Sequence, residues 1–140
     1  MKFRRYILSL ILPIWIRLGC PPRRLHLLSV HKLKTKGFQH VPVSVVIFKN
    51  DKYIVGLEPS RNWVRNVRKA NELLLTRGLN KYPYTPIEIT NRDTWIRVIK
   101  LYLQQEPYTR KFFAFNALSS DDHIFQQRDK HVMFRLICRK

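Results

Sequence analysis

Two short stretches hold the residues best suited to chemistry. In HKLKTKGFQ, residues 31 to 39, Lys32, Lys34 and Lys36 stand at alternate positions with Thr35 among them and Gly37 behind. Three ammonium groups, a hydroxyl and a turn-forming glycine so close together make either an exposed hairpin tip or an anion-holding loop. In NWVRNVRKAN, residues 62 to 71, a helix puts Arg61, Arg65 and Arg68 at i, i+4 and i+7 on one side. Lys69 lies beside them, and Asn62 and Asn66 flank the row. Trp63, Val67 and Ala70 share the opposite face with Val64 at its margin, as a core-facing stripe requires. The basic side is a solvated face or a binding face, and if it binds, its ligand is an anion.

Side-chain catalysis has less to work with. There is no Ser-His-Asp or Cys-His signature and no paired carboxylates, so no catalytic residue is assigned. Tyr53, Tyr102 and Tyr108 are either core tyrosines or groups that line a substrate pocket and donate a proton. Cys20 and Cys138 are far apart, and His26, His31, His40, His123 and His131 form no closely spaced ligand pair, so no metal site is expected.

The chain as a whole leans the same way as the two stretches. Its 140 residues, 45% of them hydrophobic, suit one folded domain. Lys+Arg 27 against Asp+Glu 9 gives a formal net charge of +18, which calls for a polyanionic partner: nucleic acid, a phosphorylated cofactor or an anionic lipid surface. Nucleic acid is disfavoured, because no helix-turn-helix or RNA-stacking motif is legible and the basicity is spread along the chain. Two isolated cysteines fit a reducing, cytoplasmic compartment.

The leading MKFRRYILSLILPIWIRLGC has the basic start and apolar run of a lipoprotein signal ending at Cys20. Arg17 falls where cleavage signals want a small or aliphatic residue, and Pro13 and Trp15 interrupt a run too short to span a bilayer. The expectation is a retained amphipathic helix over 1–20 that touches a membrane surface with its basic face; lipidation at Cys20 is the alternative.

These residues need elements to hold them. Apolar and β-branched runs predict strands at 25–30 and 40–48, the latter forming a hairpin of 41–48 with 52–57 around KNDKY. Ser60 is placed to cap the basic helix. Strands follow at 72–78 and 81–89, where Pro83 and Pro86 restrict the second to an edge or to its later half. Thr90 and Asp93 offer a capping box to a helix striped with Trp95, Ile99 and Tyr102, alongside Val98 and Leu103. Residues 106–130 read as irregular with a short helix, and 131–138 as a closing strand. The order predicts an α+β fold in which about six antiparallel strands close a small barrel, one domain over 21–140.

On these residues the sequence resembles the deazaflavin-dependent nitroreductase family. LLSVHKLKTKGFQHVPV at 27–43 is similar to the family's Leu-Leu-Thr-Val-Arg-Gly-Arg-Lys-(Ser/Thr)-Gly segment and the Pro-Val strand after it. NWVRNVRKAN resembles its Asn-Trp-Val-Arg-Asn helix, and HVMFRL at 131–136 its closing strand. DKYIV, YPYTPIEIT and ILPIWIRLGCPPRR carry further likeness, so the resemblance covers nearly the whole chain. It implies a split β-barrel and an oxidoreductase that moves hydride between the reduced deazaflavin coenzyme F-420 and an electron-poor small organic substrate. By position, Lys34 and Thr35 match the family's loop pair, Pro42 its strand proline, and Asn62, Arg65, Asn66 and Arg68 its helix, as cofactor-binding residues. Lys32 and Lys36 replace the family's two loop glycines and join the cofactor-binding set as extra cations, while His31 and Leu33 stand for its arginines and Val132 for its closing proline. Those departures leave FMN and haem open as alternatives. Split barrels often dimerise, and a homodimer is expected.

Overall fold

The computed structural model describes Ile16 and residues 24–139. Six strands, β1 (Leu25–His31), β2 (Phe38–Phe48), β3 (Asp51–Gly56), β4 (Leu73–Arg77), β5 (Asn80–Glu88) and β6 (Val132–Cys138), close a barrel in the order β1-β2-β3-β6-β5-β4. Every neighbouring pair is antiparallel. Closure leaves no free edge for the β-branched, apolar strands to offer to another chain.

Two long strands each serve two neighbours. In β2, residues 38–44 pair with β1 and 45–48 with β3; in β5, residues 80–84 pair with β4 and 84–88 with β6. Pro42, Pro83 and Pro86 all fall where their strand has one ladder partner, so a missing N–H breaks no second ladder. β5 is therefore not the edge strand its prolines predict. Tight turns join β2 to β3 through Lys49 and Asn50, at φ 51° and 68°, and β4 to β5 through Gly78, at φ 61°.

Among the residues from 24 on, three α-helices join the barrel: α1 (Asn62–Lys69), α2 (Arg92–Gln105) and α3 (Asp121–Gln126). α1 plugs one barrel mouth, where Val64 and Val67 join the interior core of Leu28, Val30, Ile54, Leu73 and Phe134. Its approach is close: a Cβ on Gly56 would stand 2.7 Å from Val64 Cγ2. α2 covers the outside, and Trp95, Ile99, Tyr102 and Leu103 bury there a second core against Val46, Tyr53, Val55 and Met133. The segment between α2 and β6 holds α3 and two 3-10 turns, Pro107–Phe112 and Arg128–Lys130.

The helix starts differ from expectation. Arg61 is the N-cap of α1 and makes no side-chain cap bond, so Ser60 does not cap it. At α2 the cap is Asn91, whose side chain accepts from Thr94 N–H at 3.1 Å, one residue beyond the Thr90 box. β2 starts at Phe38, earlier than 40. The helix expected over 1–20, its membrane contact and the Cys20 alternative lie outside the described residues apart from Ile16. That residue is fully buried, and its carbonyl accepts from Gly78 N–H at 3.0 Å.

Candidate functional site

The lysine loop joins β1 to β2 at the mouth that α1 plugs, so the two basic stretches meet. Gly37, at φ +102°, makes the bend, and Lys32 N–H closes the loop on the Gly37 carbonyl at 3.1 Å. Between loop and helix lies a cavity of about 580 Å³. Six of the expected residues line it: Lys32, Lys34, Thr35, Asn62, Arg65 and Asn66. No Asp or Glu lines it among the described residues. Three cations, a hydroxyl and amides facing one space can hold a flexible anion such as a phosphodiester or a carboxylate tail.

Asn66 does more than flank. It is buried, its Oδ1 accepts from Leu33 N–H at 3.2 Å, and its Nδ2 donates to Gln39 Oε1 at 2.6 Å. One amide thus bolts the helix to both sides of the lysine loop and sets the shape of the cavity. Phe38, Gln39 and His40, also in its wall, were not singled out from sequence. His40 Nδ1 lies 2.7 Å from Ser29 Oγ.

The remaining expected residues lie elsewhere. Arg68 points away and makes a two-pronged ion pair with Glu88, Nε to Oε1 at 2.8 Å and Nη2 to Oε2 at 3.2 Å. Lys36 is exposed on the loop and does not line the cavity. Pro42 lines a second recess of about 290 Å³ with Ser44, Arg61, Trp63, Tyr102 and Tyr108. Along β2, His40, Pro42 and Ser44 alternate onto the outer face, and Arg61, Asn62 and Trp63 follow one another at the start of α1, so the cavity and the recess draw walls from neighbouring residues of the same two elements and together make up a trough.

A buried carboxylate stands behind the recess. Glu106, just after α2, is only 1% exposed. Its Oε1 takes hydrogen bonds from Arg24 Nε and from Ser44 Oγ, the latter at 2.7 Å. Ser44 Oγ in turn accepts from Gln105 Nε2 at 2.7 Å, which also donates to the Val45 carbonyl at 3.0 Å. The carboxylate thereby fixes the Ser44 hydroxyl. Burial, then the Glu106 charge, pushes the Tyr102 hydroxyl up to about 12, and burial, a hydrogen bond to Glu106 and the charge of that carboxylate push Tyr108 upward. Both phenols keep their protons near neutral pH. Position 106 continues the buried stripe of Trp95, Ile99 and Tyr102, which is the signal in the sequence that could have marked it.

No family model matches the chain. No curated protein matches it in sequence. Solved structures do resemble it. One, described as a domain-swapped dimer, aligns over 96% of this chain and 97% of its own at 15% identity and a TM-score of 0.61. An F420-H2 dependent reductase aligns over 81% of this chain and 94% of its own at 18% identity and a TM-score of 0.58. The heme storage protein HutZ from Vibrio cholerae aligns over 84% and 83% at 11% identity and a TM-score of 0.56. At these identities the likeness is one of fold, and it agrees with the resemblance seen in the sequence. With its six antiparallel strands closed and its helices at one mouth and along one side, the chain has the α+β split β-barrel fold.

Proposed function

We propose that the chain is an oxidoreductase that holds a deazaflavin coenzyme of the F-420 type along the trough and exchanges hydride between it and an electron-poor small organic substrate. The observation that carries this reading is the carboxylate-free cavity in which Lys32, Lys34, Thr35 and Arg65 converge from a loop and a helix far apart in sequence. The neighbour named an F420-H2 dependent reductase supports the coenzyme class. When bound, the reduced coenzyme supplies the hydride.

The chain's own residues bind and orient. Lys34, Thr35 and Arg65 hold phosphate and acidic tail by charge-assisted hydrogen bonds. Pro42 and Trp63 give the recess flat, apolar walls that exclude water. Glu106 takes the hydroxyl protons of Ser44 and Tyr108, which fixes both side chains beside that surface. No residue has to act as a nucleophile. A homodimer is part of the proposal, supported by the domain-swapped dimer among the neighbours.

Fluorescence titration of the purified chain with coenzyme F-420 and with FMN tests the reading. Tighter binding of F-420 is expected, since a longer acidic tail meets more of the cationic wall. Equal or reversed preference would turn the assignment to FMN, and a Soret band in the protein as isolated would turn it to haem.

A further inference from the structure

The turn between β4 and β5 carries a residue that its geometry does not need. A two-residue hairpin turn with glycine first takes its positive φ from that glycine, and Gly78 supplies it at 61°. The second position accepts small polar residues, yet Leu79 stands there fully exposed, at 102%. A leucine held in water at a turn tip adds nothing to the core, and the turn would close as well on serine or asparagine. A single exposed leucine is ordinary; this one has apolar and cationic neighbours.

β1 is antiparallel to both β2 and β4, so β2 and β4 end at the same barrel mouth, opposite the lysine loop and α1. Their two turns therefore stand at one end of the molecule. They meet around a cavity of about 400 Å³ whose wall takes Lys52 from one hairpin and Gly78, Asn80 and Tyr82 from the other. Lys52 Nζ donates to Tyr84 Oη at 3.0 Å, which ties the two hairpins across the mouth. Ile47, the ladder partner of Lys52, is 65% exposed, and Tyr82 is 52% exposed. With Leu79 they give this mouth an apolar rim.

Cations flank the rim. Residues 47–52 and 78–82 hold three lysines, Lys49, Lys52 and Lys81, against one acid, Asp51. Lys49 and Lys81 are exposed and make no ion pair among the described residues. Arg77 is left out of this count, because the Leu25 carbonyl takes its Nη1 at 2.8 Å. An apolar tip, an aromatic ring at its base and ammonium groups at its flanks suit the headgroup layer of an anionic bilayer, where rings sit at the interface and lysines meet lipid phosphates. The formal net charge of +18 draws the whole chain to such a surface.

We infer that the barrel mouth opposite α1 docks on an anionic membrane surface, with Leu79 and Ile47 entering the headgroup layer and Lys49 and Lys81 meeting its phosphates. A protein partner requires a broad complementary face, whereas a turn tip that enters a fluid surface does not. Docked in this way, the lysine loop and α1 face water at the other end of the strands, open to a soluble anionic ligand.

Cosedimentation of the full chain with vesicles made of equal parts phosphatidylglycerol and phosphatidylcholine tests the inference. The chain should bind these vesicles and bind pure phosphatidylcholine far more weakly. Leu79→Ser should weaken binding by about tenfold or more, as for a large apolar side chain left in water, and Lys81→Gln by about fivefold. Leu118→Ser, at a leucine 96% exposed on the loop before α3, should leave binding unchanged. Urea midpoints of all three variants should match the parent, since each side chain is exposed, which separates lost docking from lost folding. Binding by Leu79→Ser equal to that of the parent would place the contact elsewhere on the chain and overturn the proposal. Equal affinity for neutral and anionic vesicles would overturn it too, as would capture by an acidic protein or nucleic acid with none by vesicles.

Discussion

Arg65 and Arg68 sit one turn apart on α1 and meet different surroundings. Arg65 faces the cavity, whereas Arg68 spends its guanidinium on Glu88. Arg65→Ala should weaken coenzyme binding by roughly 1 to 3 kcal/mol, the scale of a charge-assisted hydrogen bond. Arg68→Ala should leave affinity unchanged and cost about 0 to 1 kcal/mol of stability, as for other partly exposed pairs. Fluorescence titration and urea unfolding of both variants separate the two roles, and equal losses of affinity would show that the whole stripe binds. Helical phase made the basic side of α1 legible, but the acid 20 positions away that claims Arg68 was not, because ion pairs between elements leave no periodic trace. Asn66 shows the same limit: its type and phase were clear, while its task of bolting the loop through Leu33 and Gln39 depends on how two elements cross.

The strands were legible because alternation and β-branched content reflect burial on one or both faces, and all six form within a few residues of their expected places. Helix starts were less so. Ser60 and Thr90 have capping chemistry, yet the chain enters each helix one residue later, where backbone direction and not side-chain type decides. Gly56 passed unremarked, although it sets how near α1 can lie to the barrel. Gly56→Ala puts a methyl group 2.7 Å from Val64 Cγ2, a β-branched side chain with little freedom to turn aside. Overpacking of this kind costs about 1 to 3 kcal/mol. The helix start must shift to relieve it, so urea unfolding should show the loss and coenzyme titration a weaker trough. An unchanged unfolding midpoint would mean that α1 is seated more loosely than its contacts indicate.

At the scale of the molecule, buried imidazoles tie stability to pH. His131 is buried, donates Nδ1–H to the Leu57 carbonyl at 2.9 Å, and packs on Phe113 at 4.3 Å between ring centres. Burial lowers its pKa, with Lys130 adding to the effect, and His26 is lowered likewise by burial, Lys52 and Arg77. A depressed imidazole pKa means that the unfolded chain binds the proton more readily. The stability these two neutral rings contribute is complete above the ordinary value of 6.5 and is lost as pH falls from there through their folded values. Urea midpoints should drop between about pH 7.5 and about pH 5.5, and His131→Gln should flatten part of that slope. The barrel's closure carries a consequence for how the chain reaches this state. β6 is flanked by β3 and by the second half of β5, so its partners wait through more than forty residues of intervening helix and loop after β5 ends. Contacts of such long range form slowly. A nascent chain that has made β1 to β5 presents two unfilled strand edges around the space for Val132, Phe134 and Leu136, a sticky template until the final strand emerges from the ribosome.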